Sequence, residues 1–298
     1  MMKPDHFDKF GASIKTANRL RTTLKSAPLM QSVRFHGPGD IRLDQVEEPV
    51  CGKGQVKMKP AYAYRVWWRH VTKDRSISHT VLSNPDKISL EVAALIEPLA
   101  VSWHAVDISP FKPGDSVLIV GGGPIGIGIV QVLKLQGAKR IMVAELMENR
   151  KRLCGEYGAT NILDPREVEI ASRVRELTGG VGADMIFDAA GVDKALLDAI
   201  PACRTQGTIV NVAVWKKNPT IPVNQVMHNR MRYMGAALYD EMSFLDVIRA
   251  ISHGHLRPEN MITATIPLDQ VVAGGGAGFK ALLEYRDQHC KILVDVQA

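Results

Sequence analysis

DSVLIVGG (residues 115–122) followed by PIGIGIVQVLKLQGA constrains this chain more than any other stretch. An unbroken apolar run of this kind suits a strand covered on both faces, as in a parallel sheet, rather than one with a wet side. The segment after it reads as a helix. Pro124 stands at its first turn, where a missing N–H is tolerated, and Gly137 lies just past its end. A strand buried on both faces needs parallel neighbours, and the chain offers them. RIMVAE (140–145), TNILD (160–164), ADMIFDAAG (183–191), GTIVNVAVW (207–215) and RYMGAAL (232–238) read as strands. ENRKRLCGEYGA, EIASRVRELTG and DKALLDAI read as helices between them. This alternation predicts an α/β domain with a doubly wound parallel sheet over residues 100–257.

GGGPIG, at the junction of the first strand and helix, places Gly121, Gly123 and Gly126 in a G-x-G-x-x-G pattern. The pattern is weak alone and gains meaning from the strand before it and the helix after it. The first glycine permits a tight turn, the second lets backbone approach a pyrophosphate, and the third lets helix and strand pack closely. Pro124 and Ile125 complete the turn into the helix, whose N-terminal N–H groups would face the phosphates. Glu145 ends the second strand, 19 residues after Gly126, where an acidic group is expected to bind a ribose diol. Its charge would repel a 2′-phosphate, so NAD is expected over NADP. Arg150 is a candidate to stack on the adenine face.

Outside this domain the signals are shorter. VRFHGPGDIRLDQV holds a Gly-Pro-Gly-Asp turn between alternating runs and predicts a hairpin. A helix is expected over residues 88–109, with Ser89 as its N-cap and Glu91 in its first turn. After His255, MITATIPL and KILVDV read as strands and DQVVAGGGAGFKALLEYRDQ as a helix with an odd glycine cluster at 273–278. Residues 61–83 fit none of these patterns: they carry Trp67, Trp68, His70, His79 and four basic residues, and no glycine.

With 298 residues, 46% hydrophobic and 23% charged, the chain has the composition of a globular protein of about two domains. The formal charge of +6 owes much to Lys3, Lys9, Lys15, Arg19, Arg21 and Lys25. The rest is nearly balanced, which argues against nucleic acid as a partner. Residues 1–29 are expected to form a disordered extension or to reflect an upstream start, although their basic character is also that of a transit peptide. No apolar run is long enough for a membrane helix. Cys51, Cys154, Cys203 and Cys290 are scattered, with no C-x-x-C pair, and are expected to be buried thiols in a reducing, cytoplasmic setting.

GGGPIG, EVAALIEPLAVSWHAV, FKPGDSVLIVGGGPIG, GVGADMIFDAAG and the closing KILV together resemble the medium-chain zinc-dependent alcohol dehydrogenases, most closely the butanediol and sorbitol (polyol) dehydrogenases. The resemblance runs from Met30 to about Pro60 and from about Asn84 to the end. It implies a Rossmann sheet plus a split, GroES-like, β-rich catalytic domain, here truncated: residues 30–99 first, the nucleotide domain over 100–257, and the return over 258–298. It also implies hydride transfer between NAD and a small alcohol or diol whose oxygen is polarised by zinc. Glu97 of IEPLAV matches the family's glutamate beside that zinc. The family's Cys-Gly-Thr-Asp-like and Gly-His-Glu motifs and its four-cysteine lobe have no match, so zinc is not expected to be bound and no residue is assigned as catalytic. Residues 61–83 stand where the family has most of its catalytic domain, as a deletion joined by an unrelated or out-of-frame piece would leave them. His70, Asp74, His79 and His104 lack the short spacing that would favour a rebuilt metal site. The expectation is an impaired NAD-dependent diol or polyol dehydrogenase. The alternatives are an NAD(H)-binding pseudoenzyme or the product of a faulty gene model, with a zinc-free reductase ranked last. A homodimer or tetramer through the RYMGAAL edge is implied by resemblance only.

Overall fold

The structure is a computed structural model that describes residues 28–37, 40–48, 62–63, 88–271, 284–285 and 287–296. In chain order the first strands are β1 (Leu29–Gly37), β2 (Asp40–Glu47) and β3 (Tyr62–Ala63). Helices α1 (Leu90–Ala93) and α2 (Ile96–Asp107) follow. Then come β4 (Ser116–Val120), α3 (Pro124–Leu135), β5 (Arg140–Ala144), α4 (Glu148–Tyr157), β6 (Asn161–Leu163), α5 (Ile170–Leu177), β7 (Ala183–Asp188), α6 (Asp193–Ala199) and β8 (Cys203–Asn211). The described chain finishes with α7 (Val223–His228), β9 (Arg232–Gly235), α8 (Glu241–Ser252), β10 (Ile262–Pro267) and β11 (Lys291–Asp295).

Six strands form one parallel sheet in the order β6-β5-β4-β7-β8-β9. The expected doubly wound sheet is therefore present. The apolar runs that predicted it are explained by the two cores it separates. Val117 and Ile119 of β4, Ile141 and Val143 of β5, and Met185 and Phe187 of β7 face one core, shared with α2, α3 and α8. The alternate residues Leu118, Val120, Met142, Ala144 and Ile186 face the other, shared with α5 and α6. A strand with core on both sides cannot alternate apolar with polar. The chain runs outward from β4 through β5 and β6, then returns to β7 on the other side of β4. That switch opens a crevice beyond the carboxyl ends of β4 and β7, the usual ligand position in such sheets.

The smaller β-rich part comprises two pieces. β1 and β2 pair antiparallel, with Val33 opposite Leu43, as the turn chemistry predicted. β11 lies between β10, parallel to it, and β3, antiparallel to it. Tyr62 and Ala63, from the segment that fits no family pattern, thus pair with the chain's last strand. The rest of 61–83, with His70, Asp74 and His79, lies outside the described residues. So do the expected N-terminal extension up to residue 27, Cys51 and the glycine cluster.

Several boundaries differ from expectation. The helix expected over 88–109 is two helices, because Pro98 has no N–H for the Ala94 carbonyl and the chain breaks between α1 and α2. Ser89 does cap α1, accepting from the Val92 N–H at 3.3 Å. β8 begins four residues before Gly207 and stops at Asn211, where the Trp215 Nε1–H donates to Asn211 Oδ1 at 2.8 Å and the chain turns away. The helix expected after Leu268 opens as a 3-10 turn, Leu268–Val271. α7 and α8 are additional elements. α8 is amphipathic, with Val247, Ile248 and Ala250 buried. No helix among the described residues is long and apolar enough to cross a membrane.

Candidate functional site

The glycine turn is tightly enclosed except at one point. Gly121 takes φ +93°, a region other residues rarely adopt, and a Cβ there would lie 3.2 Å from the Ala190 backbone N on the turn after β7. A Cβ on Gly126 would lie 1.9 Å from the Gly121 carbonyl oxygen, so only glycine lets α3 start this close to β4. At Gly122 a Cβ would meet Cys154 Sγ at 2.8 Å and Glu145 Oε2 at 3.1 Å. Gly123 is different. It caps α3 with ordinary extended dihedrals, and the nearest atom to a Cβ there is Arg150 Nη1 at 4.0 Å. The turn is thus packed from below and open where Pro124, Ile125 and Gly126 begin the helix. First-turn N–H groups have no partner within a helix and suit an anion.

Glu145 lies just past β5 and is 7% exposed. Its Oε2 accepts from Gly122 N at 2.7 Å, and its Oε1 accepts from Leu146 N at 2.7 Å and Met147 N at 2.9 Å. The carboxylate therefore joins the glycine turn to the turn that follows β5. Arg150, on the first turn of α4, brings its guanidinium beside Gly123, and its Nε is buried without a hydrogen-bond partner. A cavity of about 540 Å³ adjoins the post-β5 turn, lined in part by Leu146, Met147, Arg152 and Arg166. Arg166 is held there by Asp164, with Nη2 to Oδ2 at 2.5 Å, and Arg166 and Lys151 keep that carboxyl well below the usual range.

Residues missed at the sequence level complete the site. Asp188, at the end of β7, is fully buried; its Oδ1 accepts from Ala190 N at 3.0 Å and Gly191 N at 3.1 Å, which shapes the turn packed on Gly121. An acidic residue three before Gly191 was a visible turn signal. Its Oδ2 has no hydrogen-bond partner, and burial pushes the carboxyl pKa up against the pull of those two N–H groups. Ser102 of α2 lies against Ile125 and Gly128 of α3, its hydroxyl 3.0 Å from the Ile125 carbonyl. Gly122, inside the glycine run, was legible only as a spacer.

Glu97 sits in the first turn of α2, partly buried. Burial raises its carboxyl pKa and the charge of Lys291 on β11 opposes that rise. Tyr239 is also within electrostatic reach of Glu97. No three His, Cys, Asp or Glu side chains gather into a metal cluster among the described residues. His104 is committed elsewhere: its Nδ1 lies 3.2 Å from Ser243 Oγ, which donates to Asp240 Oδ1 at 2.7 Å at the start of α8. The described residues around Glu97 thus do not fit a zinc ion. The three described cysteines are free and buried, and burial pushes the Cys154 and Cys203 thiols up to about 12 and Cys290 up to about 11.

Residues 124–253 match the zinc-binding dehydrogenase family. The chain is 36% identical over 211 residues to (R,R)-butanediol dehydrogenase of Neisseria gonorrhoeae, covering 70% of this chain and 58% of that one. Its fold matches the crystal structure of 2R,3R-butanediol dehydrogenase from Bacillus subtilis with a TM-score of 0.66 at 32% identity, covering 72% of this chain and 60% of the other. A Sinorhizobium meliloti protein solved bound to NADP matches with a TM-score of 0.63 at 25% identity, covering 72% and 62%. The chain spans 58% of the length of that first curated relative.

Proposed function

Because the chain belongs to the zinc-type medium-chain alcohol dehydrogenase family, we propose that it is an NAD(H)-binding oxidoreductase of the diol or polyol type, exchanging hydride with a secondary alcohol. The observation that carries this is the glycine turn, closed at Gly121, Gly122 and Gly126 and open only at Gly123. The residues fit a dinucleotide. The first-turn amides of α3, those of Ile125 and Gly126, would receive the pyrophosphate, and the Arg150 guanidinium beside Gly123 would meet it. That position suits a phosphate better than the adenine face expected from sequence. Leu146 and Met147 offer apolar surface at the adenosine end. Glu145 would face the ribose, where its charge disfavours a 2′-phosphate; since a relative of the same fold holds NADP, the fold alone does not choose the coenzyme. Bound NAD supplies the hydride acceptor.

No step is drawn through zinc, because the described residues near Glu97 do not assemble its ligands. Glu97 is partly buried with no metal-ligand set around it among the described residues, which favours a second reading, a protein that binds NAD(H) without turnover. The division at residues 99 and 257, and a homodimer or tetramer built on the exposed edge strand β9, belong to the same proposal.

Titration of the purified chain with NADH, followed by nucleotide fluorescence, tests the first part. Saturable binding is expected, and its absence from folded protein would sink both readings. Incubation with NAD, added zinc and a panel of vicinal diols and polyols then separates them. NADH formation supports the oxidoreductase. Binding with no turnover leaves the non-catalytic reading.

A further inference from the structure

We infer that Glu145 is a positioning residue that clamps the two turns of the nucleotide crevice together, and that it therefore cannot be exchanged to admit NADP. This rests on the dinucleotide reading above and deepens it. A carboxylate offers about four lone-pair sites. Three of them on Glu145 are used by backbone: Gly122 N on Oε2, and Leu146 N and Met147 N on Oε1. Oε1 is full, and only Oε2 has a site left. Glu145 can accept one hydrogen bond from a ribose, not the pair from both hydroxyls that a free carboxylate accepts.

The clamp spans two elements. Gly122 follows β4, Leu146 and Met147 follow β5, and those strands are neighbours in the sheet. The fit is close enough that Gly122 cannot carry a Cβ without meeting Glu145 Oε2 and Cys154 Sγ. Removing the carboxylate therefore leaves three amides without their acceptor and lets the glycine turn move relative to the post-β5 turn. A small neutral residue, the simplest way to make room for a 2′-phosphate, removes the repulsion and the clamp together.

The test compares the wild-type chain with Glu145→Ser and Glu145→Gln. NADH and NADPH dissociation constants are measured for each, alongside amide hydrogen exchange in the coenzyme-free protein. Glu145→Ser is expected to weaken NADH by about tenfold or more, the effect of losing charge-assisted hydrogen bonds, without tightening NADPH. Exchange at Gly122, Leu146 and Met147 should accelerate while the core amides of β4 and β8 stay protected, which separates a loosened clamp from unfolding. Glu145→Gln keeps one acceptor oxygen and should fall between the two in both readouts. Tighter NADPH binding by Glu145→Ser, or unchanged exchange at Gly122, would overturn the inference. The exchange readout needs no coenzyme, so it stands even if the wild-type chain fails to bind NADH.

Discussion

Gly126 and Gly123 occupy the same motif, yet different things forbid a side chain at each. A Cβ on Gly126 would overlap the Gly121 carbonyl oxygen at 1.9 Å, and both partners are backbone that cannot rotate aside. Gly126→Ala should therefore lower stability by about 2 kcal/mol or more, read as a shift in urea midpoint, and abolish NADH binding. Gly123→Ala meets nothing closer than 4.0 Å. It should cost no more than about 1 kcal/mol, the difference between glycine and alanine at an N-cap, yet weaken NADH by about tenfold because, on the proposed dinucleotide reading, a pyrophosphate would occupy that space. Equal losses of stability in the two variants would contradict this division. Asp188 offers a pH-dependent counterpart. Burial raises its pKa in the folded chain, so ionisation opposes folding. The penalty is absent below about pH 4, where folded and unfolded chains both hold the proton, and grows as pH rises through the folded value. Asp188→Asn keeps an acceptor for Ala190 and Gly191 but carries no charge. Its urea midpoint should exceed that of wild type at about pH 8, and the gap should close near pH 4. A gap independent of pH would refute the linkage.

Among the helices, α2 packs against both α3 and α8, and α2 and α8 each carry a polar contact at an end or face. Ser102 links α2 to α3, where a Cβ on Gly128 would lie 2.3 Å from Ser102 Oγ. α8 starts at Asp240, whose Oδ1 accepts from Ser243 N at 2.8 Å and Ser243 Oγ at 2.7 Å. Those bonds, led by the Ser243 N–H, lower its pKa. A lowered carboxyl pKa contributes stability above the unfolded value, about pH 4, and loses it as pH falls through the folded value. Asp240→Ala should cost about 1 kcal/mol at neutral pH, the usual loss for an N-cap, with the difference from wild type shrinking below about pH 4. Urea unfolding across that range checks it.

At the scale of the molecule, the six-stranded sheet lies between two apolar cores, and no three His, Cys, Asp or Glu side chains gather into a metal cluster among the described residues. NADH affinity should therefore stay within about twofold after exhaustive treatment with a chelator; a larger loss would place a metal in the coenzyme-binding fold. What was legible at the outset rests on local rules. β4 read as a buried strand because every residue from Val117 to Val120 is apolar, and α3 was bounded by Pro124, whose ring fixes φ, and by Gly137, which takes φ +84° without strain. Glu145 was located by its distance from the glycines. None of this reveals its partners. The N–H that holds Oε2 belongs to Gly122, 23 residues earlier, and meets it only because β4 and β5 are adjacent. Asp188 likewise matters because β7 lies on the other side of β4, bringing the turn it shapes against Gly121. By itself the sequence determined the elements and the motif, since periodicity and turn chemistry act over a few residues. Only the tertiary structure decided that Glu145 is a clamp and that Gly123 is the open point of the turn. Those facts depend on distances between segments, set by strand order rather than by any local pattern.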